Sequence, residues 1–431
     1  MKIGAQLQDF EREAGEPRDL ATPIRLPNGN VLPNRLIRAS LSEGLAEPSG
    51  RPSAELIRLY ERWARERGYG AIITGNVMID RRHLGEPGNA VLEDERDLDA
   101  FTEWASRART GSTSLWMQIN HAGRQAAAPI TGNRPVAPSA IGTGLPGYMT
   151  PRELTGAEIE EIIARYATAA SLAQAAGFDG VQLHGAHGYL ISQFLSPLAN
   201  QRIDEWGGDT QRRARFLIEL VRAVRAAVEP TFAVTLKVNS ADFQRGGFSE
   251  EESMALLEQL EHERLDLIEI SGGTYSAPAM MGAASRSSTR QREAYFHEYA
   301  MAARKRLETT PLLLTGGFRT RTAIDAALAE GACDAVGVAR PTCLDPDVGT
   351  GLVAGTVERA PERSVRVGLR PVLGRLTDLA PLDGAINLAW HTDQMHRMGR
   401  GLAPDPRRHW LRTAARLGLR FGPAAFKARR G

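Results

Sequence analysis

Eight short apolar runs recur between Leu36 and Val338, nearly all separated by stretches of helical periodicity. No other feature constrains the fold as much. The predicted strands are Leu36–Ser40, Ala71–Thr74, Ser114–Ile119, Gly180–Leu183, Ala233–Val238, Leu267–Ser271, Leu312–Thr315 and Ala335–Val338. Between them, helices are predicted near Ala54–Arg67, Glu95–Arg109, Thr155–Ala176, Thr210–Val228, Glu250–His262, Ala294–Leu307 and Arg321–Glu330. Thr155 and Glu158 have the spacing of a reciprocal N-terminal cap. Strands linked by helical crossovers pair in parallel. Eight such units in roughly 310 residues favour a closed (β/α)8 TIM barrel over an open sheet. Leu26–Val31 reads as an N-terminal hairpin, with Asn28-Gly29 as its turn.

Composition narrows the function classes. With 42% hydrophobic and 24% charged residues, a sizeable core is within reach. The chain carries two cysteines, Cys333 and Cys343, too few for a disulfide framework or a cysteine-ligated iron–sulfur cluster. A net charge of +2 gives no reason to expect nucleic acid as a partner. Met1 to Leu20 is mixed and charged, and no run approaches a membrane span, so a cytoplasmic protein is expected. The charge is uneven, however. Residues 356–431 hold fifteen Lys+Arg against six Asp+Glu, a net of +9, which leaves −7 on residues 1–355. The expected division is a barrel domain of 1–355 and a basic C-terminal extension of 356–431. In the extension, Trp410, Ala414, Leu417 and Phe421 share helical spacing, with Arg412, Arg416 and Arg420 on another face. This predicts a helix docked on the barrel or on a second subunit.

Barrels carry their chemistry on the loops after the strands' C-terminal ends. Every predicted strand delivers a small or polar group there: Ser42, Asn76, Gln118 to Arg124, His184 with His187 and Tyr189, Lys237, Ser271-Gly272-Gly273, Gly316-Gly317, and Ala339-Arg340. Glycines and an arginine after strands seven and eight suit a phosphate. His184 and His187 could ligate zinc, or donate to a developing oxyanion with Tyr189 as proton donor. The metal reading is the weaker, because no carboxylate sits beside the pair. Lys237 suits a Schiff base, a negatively charged cofactor ring or a solvated rim. Gln118 and Arg124 suit a polar ring edge and an anion, while His121 reads as a satisfied structural histidine. Gly142-Thr-Gly144-Leu-Pro-Gly147 matches a dinucleotide fingerprint in letters only. Pro146 lies inside it, and neither a strand nor a helix flanks it.

Three segments carry a family resemblance: Ala176-Gly-Phe-Asp-Gly-Val-Gln-Leu-His184-Gly-Ala-His187-Gly-Tyr189 running on to Gly208, Gln118-Ile-Asn-His-Ala-Gly-Arg124, and Leu314-Thr-Gly-Gly-Phe318. With Asn34-Arg35, they resemble the Old Yellow Enzyme family of FMN-dependent oxidoreductases, over roughly residues 20–350. The resemblance implies FMN as cofactor and NADH or NADPH as reductant, in ping-pong turnover. It implies reduction of an activated C=C bond, with hydride from flavin N5 and a proton from Tyr189. His184 and His187 would hold the substrate's carbonyl or nitro oxygen. Gln118 would meet the flavin pyrimidine, Lys237 its N1 and O2, and Gly317, Phe318, Ala339 and Arg340 the phosphate. Ser42 stands where the family usually has threonine or cysteine near O4. Asn76 replaces a small residue. The expected partner is a small-molecule substrate, and a homo-oligomer is expected. Oxidative amine demethylation on the same barrel, or a non-catalytic or metal-dependent barrel, remain the alternatives.

Overall fold

The computed structural model describes residues 18–144, 148–271, 297–316, 318–366 and 380–421. Its centre is a ring of eight parallel strands: β1 (Leu36–Arg38), β2 (Ala71–Ile73), β3 (Ser114–Asn120), β4 (Gly180–Gly185), β5 (Ala233–Asn239), β6 (Leu267–Ser271), β7 (Leu312–Thr315) and β8 (Ala335–Val338). Pairing of β8 with β1, and of β3 with β4, closes the ring. The predicted (β/α)8 barrel is therefore the fold, and all eight strands fall where the alternation placed them. Around it lie α1 (Ala54–Ala64), α2 (Leu98–Ala108), α3 (Gly156–Ala175), α4 (Thr210–Ala227), α5 (Glu250–Leu260), α6 at 297–304, α7 (Arg321–Ala329) and α8 (Val348–Val353). The Thr155–Glu158 cap forms in both directions at the start of α3. Ser249 and Glu252 repeat it at α5.

Period-two alternation sorts each strand into an outward and an inward row. Outward residues such as Leu115, Val181, Leu236 and Ile268 pack in the large core that includes the helices. Inward residues Ile37, Ile73, Trp116, Ala233, Leu267, Leu313 and Ala335 form a separate apolar cluster that also takes in Ile24, Leu26 and Leu32. Those last three belong to the N-terminal hairpin, whose strands are Ile24–Arg25 and Val31–Leu32 with Gly29 at a left-handed φ of 88°. The hairpin thus plugs the barrel floor and leaves the opposite end for chemistry. Asn28 and Asn30 tie it down by donating to Thr231 O just ahead of β5.

The extension departs from expectation. The described helix α9 (Ala380–Gly399), which no sequence signal announced, packs on α1 and on the Arg340–Cys343 turn. The anticipated helix is present as α10 (Trp410–Phe421) and packs on α9. Its arginines do not all face away from the docking surface. Arg416, with Arg408 and Thr413, grips the fully buried carboxylate of Asp393 on α9. A buried charge must be compensated, and that requirement overrides the apolar stripe. The glycine-rich decoy at 141–144 has no regular structure, and residues 145–147 lie outside the described chain. Among the described residues no helix is long and apolar enough to cross a membrane.

Candidate active site

One inward step above the apolar floor, the barrel interior turns polar. Gln118 and Gln182 are register partners on β3 and β4, as are Lys237 and Glu269 on β5 and β6. Ser40 Oγ donates to Gln118 Oε1 at 2.8 Å, and Gln118 Nε2 to Gln182 Oε1 at 2.7 Å. Gln182 Nε2 then donates to Glu269 Oε2 at 2.8 Å, and Lys237 Nζ stands 2.9 Å from Glu269 Oε1. The sequence pointed to Gln118 and Lys237 but missed Ser40, Gln182 and Glu269. Parity was the signal available, since Gln182 and Glu269 lie two residues before His184 and Ser271 on the same inward rows. Lys237 is accordingly not a solvated rim lysine. Its side chain is 4% exposed, and its charge is already matched by a carboxylate.

The next layer holds the histidines. His184 Nδ1 lies 2.7 Å from Asn76 Oδ1, and His184 Nε2 lies 3.1 Å from His187 Nδ1. His187 Nε2 lies 2.9 Å from Ser271 Oγ. Asn76 Nδ2 donates to Ser42 Oγ and to the Tyr189 phenol oxygen, both at 3.3 Å. Its Oδ1 is therefore left to accept a proton from His184 Nδ1, which fixes that ring's tautomer. Asn76 thus touches Ser42, Tyr189 and His184 at once. The Tyr189 ring lies 4.7 Å from the His184 ring, centroid to centroid. His187 sits at a left-handed φ of 63°, a strained position for a non-glycine residue. Asn239 Oδ1 accepts from its backbone N–H, and Gln125 Nε2 donates to its carbonyl.

Burial, reinforced by the charge of Lys237, holds both imidazoles well below the ordinary histidine range. Burial likewise lowers His83, and brings His121 down to about 3. Each is held toward its neutral form in the folded chain, whereas unfolded histidines protonate below about pH 6.5. As pH falls through that value the unfolded state binds more protons than the folded one, so stability falls with pH. A histidine that stays neutral in the folded chain contributes up to about 1.4 kcal/mol per pH unit below 6.5. Urea midpoints should therefore drop between pH 7 and pH 5.5. A flat profile there would contradict the burial of these rings.

Ends of β7 and β8, which pair, bring Phe318 and the Ala339–Arg340 step to one side of the mouth. Phe318 is buried, while Ala339 and Arg340 are half-buried; Gly317 lies outside the described residues. At Gly337 a side chain would collide with Thr315 Oγ1, so the glycine makes room for the Thr315 side chain of the paired strand. Arg124 turns toward the carbonyls of Ile141 and Gly142. His121 is only half satisfied: Nδ1 accepts from Gly123 N–H at 3.0 Å, while Nε2 has no partner. Together with Asp80 and His83 it makes the described group of side chains that could hold a metal ion, although both Asp80 oxygens already bind Arg82.

The barrel mouth suits a flat, polar-edged cofactor. The polar side-chain atoms of Asn120 and Thr315 Oγ1 stand on inward strand positions, buried and without protein partners. Buried polar groups are ordinarily paired, and a flavin ring with its ribityl phosphate offers the missing partners. Barrel, polar interior and mouth define a flavin-type barrel oxidoreductase. The model of the NADH:flavin oxidoreductase / NADH oxidase family matches residues 19–355, and the chain belongs to that family. It is an enzyme with FMN as cofactor and NADH as reductant. It is 40% identical over 351 residues to the NADH-dependent flavin oxidoreductase iliE of Hypocrea jecorina, covering 75% of this chain and 86% of that one. Identity is 38% with the corresponding iccE enzyme of Talaromyces variabilis, covering 76% and 84%. Among solved structures, morphinone reductase in complex with tetrahydroNAD superimposes with a TM-score of 0.68 at 26% identity, covering 80% of this chain and 93% of that one.

Proposed function

We propose that this protein reduces the C=C bond of an activated alkene, an α,β-unsaturated carbonyl or nitro compound. FMN, when bound, would supply the hydride chemistry, with NADH as the source of electrons. The observation that carries the reading is the linkage of Tyr189 and His184 through Asn76, with His187 bonded to His184, at the mouth of a closed barrel. In this reading a substrate oxygen enters between the two imidazoles, replacing the bond between the rings, and accepts the Nδ1–H of His187, the Nδ1–H of His184 being held by Asn76. Charge that builds on that oxygen is then met by a fixed donor in a buried site. Tyr189 protonates the carbon next to the activating group, as a phenol keeps its proton at neutral pH. Asn76 donates to the phenol oxygen, so its N–H supports the negative charge left when that proton departs. Ser42, Gln118 and Lys237 face the flavin ring, and Phe318, Ala339 and Arg340, with Gly317, hold the phosphate.

The division that goes with this reading is a flavin-binding barrel of 1–355 and an extension of 356–431. Amine demethylation is the less favoured reaction, because an amine presents no oxygen for the histidine pair. Two results test the proposal. With 2-cyclohexenone in D2O, deuterium should appear on the carbon beside the carbonyl; deuterium on the far carbon would reverse the proton's place and remove Tyr189 from its role. Asn76→Ala should slow alkene turnover about tenfold, the loss of roughly one buried hydrogen bond. NADH consumption by the flavin should persist in that variant. Equal loss of both would make Asn76 a cofactor-binding residue only.

A further inference from the structure

The family match ends at residue 355, yet a side chain beyond it is bonded to a loop of the barrel mouth. Ser42 and Asn76 lie on the loops after β1 and β2, and Asn76 Nδ2 meets Ser42 Oγ at 3.3 Å. Residues 41–45 belong to no helix or strand, so no ladder holds the Ser42 side of this contact. Its neighbour Glu43 supplies the ties instead. Glu43 Oε1 accepts from the Gly75 N–H at 2.8 Å and from the Tyr60 hydroxyl. The same Gly75 N–H lies 2.8 Å from the Tyr60 phenol oxygen. On the backbone, Glu43 O accepts from His396 Nε2 at 2.7 Å, and His396 is fully buried on α9.

Each partner is itself fixed. Tyr60 is fully buried on α1, its ring edge-on to Trp63 and Trp104 with centroids 5.2 and 5.0 Å away. Thr74 Oγ1 donates to Gly75 O at 2.9 Å. Both backbone polar groups of Gly75 are thus held, which fixes where the Asn76 side chain leaves the chain. A side chain at Gly75 would run into Glu43 Oε2 and Leu41 O, so glycine lets the two loops close this far. On α9, Gly399 lies one turn beyond His396, and its carbonyl accepts from Arg58 of α1 at 2.8 Å. Glu43 is itself buried, and burial raises its carboxyl above the ordinary range, although Arg38, Tyr60 and Gly75 pull the other way. A buried carboxylate is costly, and an apolar side chain would fill the same space at lower free energy. What the carboxylate holds, the residue immediately ahead of Asn76, accounts for its presence.

We infer that Glu43 is a positioning residue for Asn76. Its carboxylate clamps the loops after β1 and β2 together, so that the Asn76 amide meets Ser42, Tyr189 and His184 at once. His396 anchors the clamp on the extension. The inference rests on the reading of alkene reduction above. Glu43 acts through Asn76 alone, keeping Asn76 Oδ1 on His184 and Nδ2 on the Tyr189 phenol.

The test is a double-mutant cycle on the full-length holoenzyme, read in the half-reaction with 2-cyclohexenone. Glu43→Leu should slow that half-reaction about tenfold, as Asn76→Ala does, because both release the same amide. In the Asn76→Ala background Glu43→Leu should add little, whereas independent effects would multiply to about a hundredfold. Glu43→Gln keeps an acceptor for Gly75 and Tyr60 and should retain most of the wild-type rate. Flavin reduction by NADH should persist in each variant. Multiplied losses, or equal loss of both half-reactions, would make Glu43 merely structural and overturn the inference. Should the leucine variant not fold, Tyr60→Phe takes its place, with a smaller loss that again vanishes in the Asn76→Ala background. 15N-histidine spectra add a readout that needs no turnover. His184 should carry its proton on Nδ1 in the wild type and in Glu43→Gln, and show mixed tautomers in Glu43→Leu or Tyr60→Phe. An unchanged His184 tautomer in those last two would overturn the inference. Wild-type enzyme that fails to reduce cyclohexenone would instead remove the alkene reading, and the histidine spectra would still decide on Glu43.

Discussion

Tyr189→Phe should lower the rate of alkene reduction by about 10²- to 10⁴-fold, the usual contribution of a positioned general acid. The substitution removes one oxygen from a side chain that is 6% exposed and packed against Met78, Val91, Ala122 and Ala126. The ring therefore stays in place, and the loss is confined to the proton. NADH needs no proton from Tyr189 to reduce the bound FMN, so that half-reaction should continue at its wild-type rate. Stopped-flow measurement of the two half-reactions separates them. Parallel loss of both would mean that the phenol supports the flavin site and not the substrate, and the proposed division of labour would be wrong.

Glu269→Gln should have the largest effect on stability, and it acts through Lys237. Glu269 is fully buried, and the Lys237 ammonium is almost so. Glutamine keeps an acceptor for Gln182 but leaves a buried positive charge without its partner. Removing one member of a buried ion pair ordinarily costs about 3–5 kcal/mol, which chemical denaturation of the apoprotein would register. The same change should raise the midpoint potential of bound FMN. Reduction places negative charge on the flavin, and an uncompensated Lys237 stabilises that charge more than a paired one does. A stability loss without any rise in potential would show that Lys237 does not act on the flavin ring.

These two residues also show how far the sequence was legible. Tyr189 was readable because it closes a run of strand, histidines and glycines whose spacing only a barrel rim explains. Lys237 was readable as the last residues of a strand, but its partner was not. Glu269 lies in the middle of Leu267–Ser271, where an apolar strand core conceals a single carboxylate, and register pairs it with Lys237 only once the barrel closes. Asn76 was noticed as a bulky departure near the flavin. Its bonds to Ser42, Tyr189 and His184 join the ends of β1, β2 and β4 and depend on closure as well. The extension was the least legible part. Helix α9 buries Asn387, His391, Asp393 and His396 among Trp390, Met395 and Met398, so its inward face carries no clean apolar stripe to reveal it. In α10 the periodicity was visible, but the buried Asp393 drew Arg416 inward against the expected polarity. Local pattern gave the elements, then, and polar pairing across elements could be read only in three dimensions.

The central claim is tested most directly by one anaerobic titration of the purified holoprotein in a visible spectrophotometer, with NADH added first and 2-cyclohexenone second. The account predicts a yellow flavin band that NADH bleaches and the enone restores, which demonstrates the cofactor and both half-reactions in a single sample. A protein that stays colourless even with added FMN would contradict the cofactor assignment. A band that NADH bleaches but cyclohexenone leaves bleached would contradict the proposed alkene reduction.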